Sequence, residues 1–206
     1  MKKVILSGYS GHGKVASEII MSLGHSITGY LESEKKTNNP HNLAFLGIEE
    51  PSHLMRWTSS HLFFVALGNN FLRQRIYLLI KSYGGEFVNA IHPTTQISKT
   101  AEIGDGVFLG VNAIINSATK IECGTIINSS ATVEHDCNIG SFVHIAPGAV
   151  LAGGVKIGAN AFVGANSTIK EGVVVGNSAI IGAGSVVLTD VPDNSTFVGN
   201  PAKELH

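Results

Sequence analysis

The sequence predicts a small α/β unit in residues 1–90, followed by a parallel β-helix in residues 91–206. In the first part, short apolar runs alternate with amphipathic stretches of helical period, as in repeated strand–turn–helix units. In the second part, Ile, Leu or Val recurs at every sixth position from Ile97 to Val187, sixteen times without an insertion. A short period held so strictly is typical of a solenoid, in which each repeat stacks on its neighbours.

A second register in the repeat predicts how each coil closes. The residue four positions after each large apolar residue is Ala, Ser, Thr, Val or Cys throughout, from Ala101 to Val191. Three six-residue repeats would form one coil of 18 residues, with large residues at its centre and small ones at its corners. Coils stack about 4.8 Å apart through strand pairing, so sixteen repeats give roughly five coils. Cys137 occupies a small-residue position and is predicted to be buried, whereas residues 192–206 leave the repeat as a C-terminal cap.

The first 90 residues contain the elements of a parallel sheet. "VILSG" is predicted to be a buried strand, "GYSGHGK" a glycine-rich turn, and "VASEIIMSLG" a helix that ends at Gly24. "SITGYLE" is predicted to be a second strand ending at Glu32, "HLFFVALGN" a further strand, and residues 71–83 a second helix. Ligands of such folds bind where the parallel strands end.

The glycine-rich turn has the spacing Gly8-x-x-Gly11-x-Gly13, which differs from the dinucleotide fingerprint G-x-G-x-x-G. Amides at the helix N-terminus could face a phosphate, and His12 could add a donor. A plain tight turn between strand and helix is the alternative. Glu32 follows the second strand, where related folds hold a polar group of the nucleoside.

Composition excludes several classes of protein. Only 14% of residues are charged and the net charge is −1, so no basic excess exists to bind nucleic acid. The sequence has no apolar run long enough for a membrane span, and its N-terminus does not resemble a signal peptide. The two cysteines, Cys123 and Cys137, form neither a disulfide framework nor a zinc motif. We expect a cytoplasmic protein with free thiols.

The stretch "VEHDCNIGSFVH" concentrates titratable side chains within the repeat. His135 lies outside the core positions, between Glu134 and Asp136, and either carboxylate could orient its ring. His144 follows nine residues later, which is half a coil, so the two histidines should project from different faces. They could meet only across a subunit boundary, or else serve separate pockets. A metal site needs at least three ligands, so no metal is expected here.

Six segments in order, from residue 8 to residue 205, resemble the sugar O-/N-acyltransferases of the sialic-acid O-acetyltransferase type. They are "GYSGHGK", "FFVALGNNFLRQRIY", "VNAIHP", "INSSATVEHDCNIGSFVHIAPGA", "AGGVKIGANAFVGANSTI" and "FVGNPAKEL". The bacterial enzymes that N-acetylate nucleotide-linked 4-amino-4,6-dideoxyhexoses are the most similar branch. The resemblance implies a left-handed β-helix, acetyl-CoA as co-substrate, and a homotrimer with sites between subunits.

The resemblance also implies roles for residues of the β-helix. His135 matches the histidine of the family's E-H-[DE] motif, which is the general base, and Asp136 matches the acid that holds its ring. Glu134 is a second candidate for that acid. His144 matches a histidine near the acetyl group or the sugar, and Asn128 a polar residue of the amino-sugar pocket.

The two substrates are implied to bind at further positions of the chain. Those implied for the nucleotide-linked sugar are Ser10, Gly11, His12, Gly13, Glu32, Asn69 and Asn70. Those implied for acetyl-CoA are Gly153, Ala165, Ala183 and Lys203. Glu32 stands where related enzymes often have Asp, which weakens the comparison at that contact. Direct transfer from acetyl-CoA is expected, without a covalent cysteine intermediate.

Two other functions compete with N-acetyl transfer to a UDP- or dTDP-linked amino sugar. The same scaffold could acetylate a hydroxyl group of sialic acid or another glycan sugar, again with His135 as the base. A glycine turn suited to a diphosphate favours the nucleotide-linked acceptor, because free sialic acid carries no diphosphate. A non-catalytic binding module is the other alternative, and the acid-flanked His135 argues against it.

Overall fold

The structure, a computed structural model, describes residues 2–205 and divides into two compact units, Met1–Pro93 and Thr94–His206. The first unit is a parallel sheet with helices, and the second is a stack of short strands. Across the described residues, no helix combines the length and the hydropathy that crossing a bilayer requires.

The sheet of the first unit has five parallel strands. They are β1 (Lys3–Ser7), β2 (Ser26–Leu31), β3 (Ala44–Phe45), β4 (Leu62–Val65) and β5 (Glu86–Phe87), in the spatial order β3-β2-β1-β4-β5. The helices are α1 (Gly11–Ser22), α2 (Pro51–Trp57) and α3 (Asn70–Ser82), and the short strand β6 (Ala90–Ile91) follows. Strands β2 and β3 are added in order on one side of β1, and β4 then pairs with the other side of β1. This reversal creates a crevice beyond the carboxyl ends of β1 and β4, where such sheets bind ligands.

The first helix starts earlier than the sequence predicts. The expected turn extended to Lys14, but α1 begins at Gly11, so the turn proper is only Gly8 to Ser10. Gly13 is buried, and a Cβ at this position would lie 2.7 Å from the carbonyl oxygen of Gly8. The glycine therefore lets the first helical turn pack directly on the end of β1. Elements β3, α2 and β5 are too short or too irregular in pattern to have been predicted.

The second unit contains sixteen two-residue strands at a spacing of six residues. They are β7 (Gln96–Ile97), β8 (Glu102–Ile103), β9 (Phe108–Leu109), β10 (Ile114–Ile115), β11 (Lys120–Ile121), β12 (Ile126–Ile127), β13 (Thr132–Val133), β14 (Asn138–Ile139), β15 (His144–Ile145), β16 (Val150–Leu151), β17 (Lys156–Ile157), β18 (Phe162–Val163), β19 (Thr168–Ile169), β20 (Val174–Val175), β21 (Ile180–Ile181) and β22 (Val186–Val187). Two further strands, β23 (Thr196–Val198) and β24 (Lys203–Glu204), follow the repeat.

Every third strand pairs in parallel, which makes three sheets around one core. The first sheet runs from β7 through β10, β13, β16 and β19 to β22, and the second from β8 through β11, β14 and β17 to β20. The third contains β9, β12, β15, β18 and β21, then β23 and β24. Val133 pairs with Leu151, which confirms the 18-residue coil. The predicted cap continues the third sheet, since β23 pairs with β21 and β24 returns antiparallel to β23.

The large residues of the period fill the centre of the coil, as predicted. From Leu109 to Val187, every one of them is at most 3% exposed. Ile97, at the open end of the stack, is 37% exposed. Cys137 is fully buried, as predicted, and its thiol donates to the carbonyl oxygen of Ala152 at 3.3 Å. Burial also raises the pKa of this thiol, which is therefore unsuited to act as a nucleophile.

The corners of the coil share one backbone conformation. Every sixth residue from Gly106 to Gly184 has a positive φ, and these residues include Gly, Asn, Ser and Ala as well as Asp136. Asp136 has φ of 60°, a region that Asp and Asn tolerate better than most other residues. The regular corner therefore fixes the direction of the residue before it, His135.

Candidate active site

His135 and Asp136 form a hydrogen-bonded pair in the turn between β13 and β14. Nδ1 of His135 lies 2.8 Å from Oδ2 of Asp136. Because an ionised carboxylate can only accept, Nδ1 carries the hydrogen and donates it, which leaves Nε2 as the proton acceptor of the neutral ring. Both side chains are more than half exposed, so Nε2 is accessible to a substrate.

The imidazole of His135 lies over Gly153, which occupies the equivalent turn position of the next coil. A Cβ at Gly153 would lie 2.6 Å from Cε1 and 2.7 Å from Nε2 of His135. Only a residue without a side chain therefore admits the ring in this position. The N–H groups of Ala152 and Gly154 donate main-chain hydrogen bonds to neighbouring coils, whereas the N–H of Gly153 takes no part in this pattern. A main-chain donor thus lies beside the basic nitrogen.

The surrounding carboxylates raise the pKa of His135. The largest cause is the hydrogen bond to Asp136, partly offset by desolvation, and the charges of Asp136, Glu134 and Glu171 raise the pKa further. These carboxylates stabilise the imidazolium form of His135, which makes the neutral ring a better proton acceptor. Glu171 was not predicted as a site residue, although its distance of 36 residues from His135 equals two coils of the period.

The structure distinguishes between the two carboxylates that flank His135 in the sequence. Asp136 contacts the ring, whereas Glu134 accepts a hydrogen bond at 2.7 Å from the side-chain amide of Asn116, one coil away. Glu134 therefore acts on the ring through its charge. The carbonyl oxygen of Glu134 accepts from the hydroxyl of Thr119 at 2.7 Å, which ties this side of the turn to the preceding coil.

His144 lies in the third sheet, whereas the turn that holds His135 connects the first sheet to the second. It is the first residue of β15, is partly buried, and its ring meets that of Phe162 edge to face at 5.1 Å between centroids. Nε2 of His144 lies 3.3 Å from the side-chain amide nitrogen of Asn128. The structure thus brings His144 and Asn128 together as a second polar pair.

The glycine-rich turn of the first unit includes an acidic group. Ser10 is the N-cap of α1, and Gly11, His12 and Gly13 form its first turn. A carboxylate oxygen of Glu32 accepts a hydrogen bond at 3.3 Å from the backbone N–H of Tyr9. Glu32 therefore lies at this turn, as its position after β2 predicts, and it also lies 3.7 Å from the ammonium group of Lys36.

Asn69 and Asn70 shape the segment after β4. Asn69 caps α3 by accepting from the backbone N–H of Leu72 at 2.9 Å. Asn70 is buried and accepts at 2.9 Å from the guanidinium of Arg73, which also donates to the carbonyl of Leu67 at 2.9 Å. Arg73 is 1% exposed, and burial lowers its pKa to about 9. This arginine, which the sequence reasoning missed, holds the segment in shape.

The four residues implied for acetyl-CoA lie on separate parts of the second unit. Gly153 is in the turn between β16 and β17, whereas Ala165 and Ala183 follow β18 and β21 at another corner of the coil. Lys203 is exposed in β24. Among residues 2–205, no group of three or more His, Cys, Asp or Glu side chains could hold a metal ion.

Comparison with known proteins agrees with both units. Residues 3–79 match the PglD N-terminal domain, and residues 118–153 and 154–189 match the bacterial transferase hexapeptide. PerB from Caulobacter crescentus, whose structure contains CoA and GDP-perosamine, is 33% identical with a TM-score of 0.93 over 100% of this chain and 98% of its own. The chain belongs to the hexapeptide-repeat sugar N-acetyltransferase family. Membership confirms the predicted left-handed parallel β-helix.

Two other members of the family are similar to this chain. The acetyltransferase domain of PglB from Neisseria gonorrhoeae FA1090 is 32% identical with a TM-score of 0.91 over all of both chains, and it also has a structure with acetyl coenzyme A. The UDP-N-acetylbacillosamine N-acetyltransferase of Bacillus subtilis (strain 168) is 34% identical over 111 residues. That match covers 53% of this chain and 51% of the relative, so it spans about half the length of the curated protein.

Proposed function

We propose that the protein transfers the acetyl group of acetyl-CoA to the 4-amino group of a nucleotide-linked 4-amino-4,6-dideoxyhexose. The observation that carries this proposal is the Asp136-oriented His135, whose ring lies over Gly153 in a chain of this family. The names of its relatives include UDP- and GDP-linked amino sugars. GDP therefore joins UDP and dTDP as a candidate nucleotide.

The arrangement around His135 suits direct acyl transfer. The free amine attacks the thioester carbonyl carbon and forms the C–N bond, while the carbonyl electron pair moves onto oxygen. Nε2 of His135 takes a proton from the amine nitrogen, a step that typically contributes about 10²–10⁴-fold in rate. The intermediate then collapses, the C–S bond breaks, and His135 returns the proton to the departing CoA thiolate.

The N–H of Gly153 is our candidate donor to the oxyanion. It lies outside the main-chain ladder and beside the base, where a preformed donor costs no reorganisation during the reaction. Asp136 would keep the ring in the tautomer that presents Nε2. His144 and Asn128 form a separate polar pair that we propose contacts the sugar or the acetyl group.

The crevice beyond β1 and β4 is our candidate site for the nucleotide. The N-terminus of α1, at Ser10, Gly11, His12 and Gly13, is proposed to present backbone N–H groups to a diphosphate. Glu32 carries a negative charge at this turn, so we assign it to a hydroxyl or base donor of the nucleoside. Asn69 and Asn70 shape the neighbouring segment and are proposed to act through its main chain as well as their side chains.

We further propose that acetyl-CoA contacts Gly153, Ala165, Ala183 and Lys203, and that the protein works as a homotrimer. Gly153 lies at a different corner of the coil from Ala165 and Ala183. One extended acetyl-CoA molecule between two neighbouring copies could touch both corners, which supports a site shared between subunits. A cytoplasmic location is proposed because both substrates are cytoplasmic metabolites.

Acetyl-CoA consumption across a panel of acceptors tests the proposed function. The panel contains UDP-, dTDP- and GDP-linked 4-amino-4,6-dideoxy sugars beside free sialic acid, with thiol release as the readout and His135→Ala as the control. Release that requires both a nucleotide-linked amino sugar and His135 is the expected result. Release with sialic acid alone would establish the competing O-acetyl transfer and overturn the proposal.

A further inference from the structure

The turn that holds His135 is one of a stack of equivalent turns at the same corner of the coil. Strand β13 pairs with β16, and β16 pairs with β19, so the turns containing His135, Gly153 and Glu171 follow one another. Gly154 N–H donates to His135 O at 2.8 Å, and Gly172 N–H donates to Gly153 O at 3.0 Å, which locks this stacking. Glu171 therefore lies two coils from His135, about 9.6 Å along the axis.

Gly153 places a residue without a side chain on the coil between these two side chains. Its missing Cβ is the reason that the ring of His135 can lean from its own coil onto the next, in the direction of Glu171. An ammonium group hydrogen-bonded on both sides spans about 5–6 Å. That span fits between an imidazole that leans over Gly153 and a carboxylate on the coil beyond it.

Of the three carboxylates that raise the pKa of His135, that of Glu171 is the one without a hydrogen bond to a neighbouring side chain within residues 2–205. The carboxylate of Asp136 is hydrogen-bonded to the ring, and that of Glu134 is hydrogen-bonded to Asn116. Glu171 is exposed, and within residues 2–205 it takes part in no salt bridge. Its carboxylate nevertheless acts electrostatically on His135, so the two groups belong to one site.

We propose that Glu171 binds the ammonium form of the acceptor amine between its own carboxylate and the ring of His135. An amine on a substituted carbon is largely protonated at neutral pH, as the α-amino group with its pKa of about 7.7–8.0 illustrates. The cation is then the form that reaches the site first, and it must lose one proton to water before it attacks. Glu171 concentrates this form beside the base, and a hydroxyl acceptor would gain far less from the same charge.

This inference rests on the proposed function and explains how the site prefers an amine over a hydroxyl group. Glu171→Gln removes the charge and keeps the shape. Glu122→Gln is the matched control, because Glu122 is also exposed in the β-helix but follows β11, on a different sheet. Equilibrium binding at pH 7 and low salt compares UDP-4-amino-4,6-dideoxyglucose with UDP-6-deoxyglucose, its 4-hydroxy counterpart. The corresponding dTDP- and GDP-linked pairs are run in parallel.

We expect Glu171→Gln to weaken binding of the amino sugar roughly two- to fivefold, the range of an exposed ion pair. Binding of the 4-hydroxy sugar should not change, and Glu122→Gln should change neither. An equal effect on both ligands, or no effect on the amine, overturns this inference alone. If the wild-type protein binds none of the six ligands, the proposed function fails and the inference fails with it.

Discussion

Replacement of Gly153 by alanine tests the geometry of the proposed base without touching the base itself. The added Cβ would lie 2.6 Å from Cε1 and 2.7 Å from Nε2 of His135, whereas ordinary contact begins at 3.4 Å. The ring must therefore retreat by about 0.8 Å, and its hydrogen bond to Asp136, now 2.8 Å, must lengthen or rotate. Displacements of about 1 Å at a reacting group can cost 10²-fold in rate, so we expect kcat to fall by about 10- to 100-fold.

The backbone at Gly153 should accept alanine, because its φ is not in the left-handed region. A compatible Gly-to-Ala change stabilises a protein by about 0.4–1 kcal/mol, so Tm should stay constant or rise slightly. This combination of intact stability and lost rate separates displacement of the ring from unfolding.

The assay is steady-state thiol release with acetyl-CoA and the best acceptor of the panel, together with a thermal melt. A His135→Ala background provides the control: with the ring gone, Gly153→Ala should cause no further loss. A Gly153→Ala enzyme with near-wild-type kcat would refute the placement of His135 over Gly153. An equal further loss in the His135→Ala background would instead show that the methyl group obstructs acetyl-CoA.

Three further predictions use the same assay or thermal and denaturant melts. His135→Ala should keep the fold and lose at least about 10²-fold in kcat, since it removes the general base; a smaller loss contradicts that role. Asp136→Asn should move the acid limb of the kcat/KM pH profile to lower pH, because Asp136 raises the pKa of His135 and the base acts unprotonated. A shift of this limb to higher pH would contradict the prediction. Arg73→Met should lower the free energy of unfolding by at least about 2 kcal/mol, because the buried acceptors around Arg73 lose their donor. It should also raise KM for the nucleotide sugar more than KM for acetyl-CoA, and equal changes in both KM values would contradict a local role.

The repeat could be predicted almost completely from the sequence because its physical cause is local and periodic. Each coil needs one large residue at its centre and a small one at its corner, and the pairing of Val133 with Leu151 follows directly from that spacing. The first unit was less predictable, since β3 and β5 have only two residues each and carry little pattern. The start of α1 was placed too late because three helical residues, Gly11 to Gly13, have poor helix propensity.

The candidate site was predictable in its residue types but not in its contacts. Glu134 and Asp136 flank His135 symmetrically in the sequence, and only the left-handed turn at Asp136 decides which carboxylate meets the ring. Glu171 could have been found by counting two coils onward from His135. Arg73 offered no comparable signal, since a single arginine in an amphipathic helix gives no indication that its guanidinium is buried.

The chemical nature of the acetylated product distinguishes N-acetyl transfer from O-acetyl transfer. The enzyme is incubated with [13C]acetyl-CoA and the preferred nucleotide-linked 4-amino-4,6-dideoxy sugar, and the purified product is treated with alkaline hydroxylamine, which cleaves oxygen esters. An amide withstands hydroxylamine, whereas an ester loses its acetyl group. We expect a product that keeps its label and whose formation requires His135. Loss of the label would show an O-acetyl ester and rule out N-acetyl transfer.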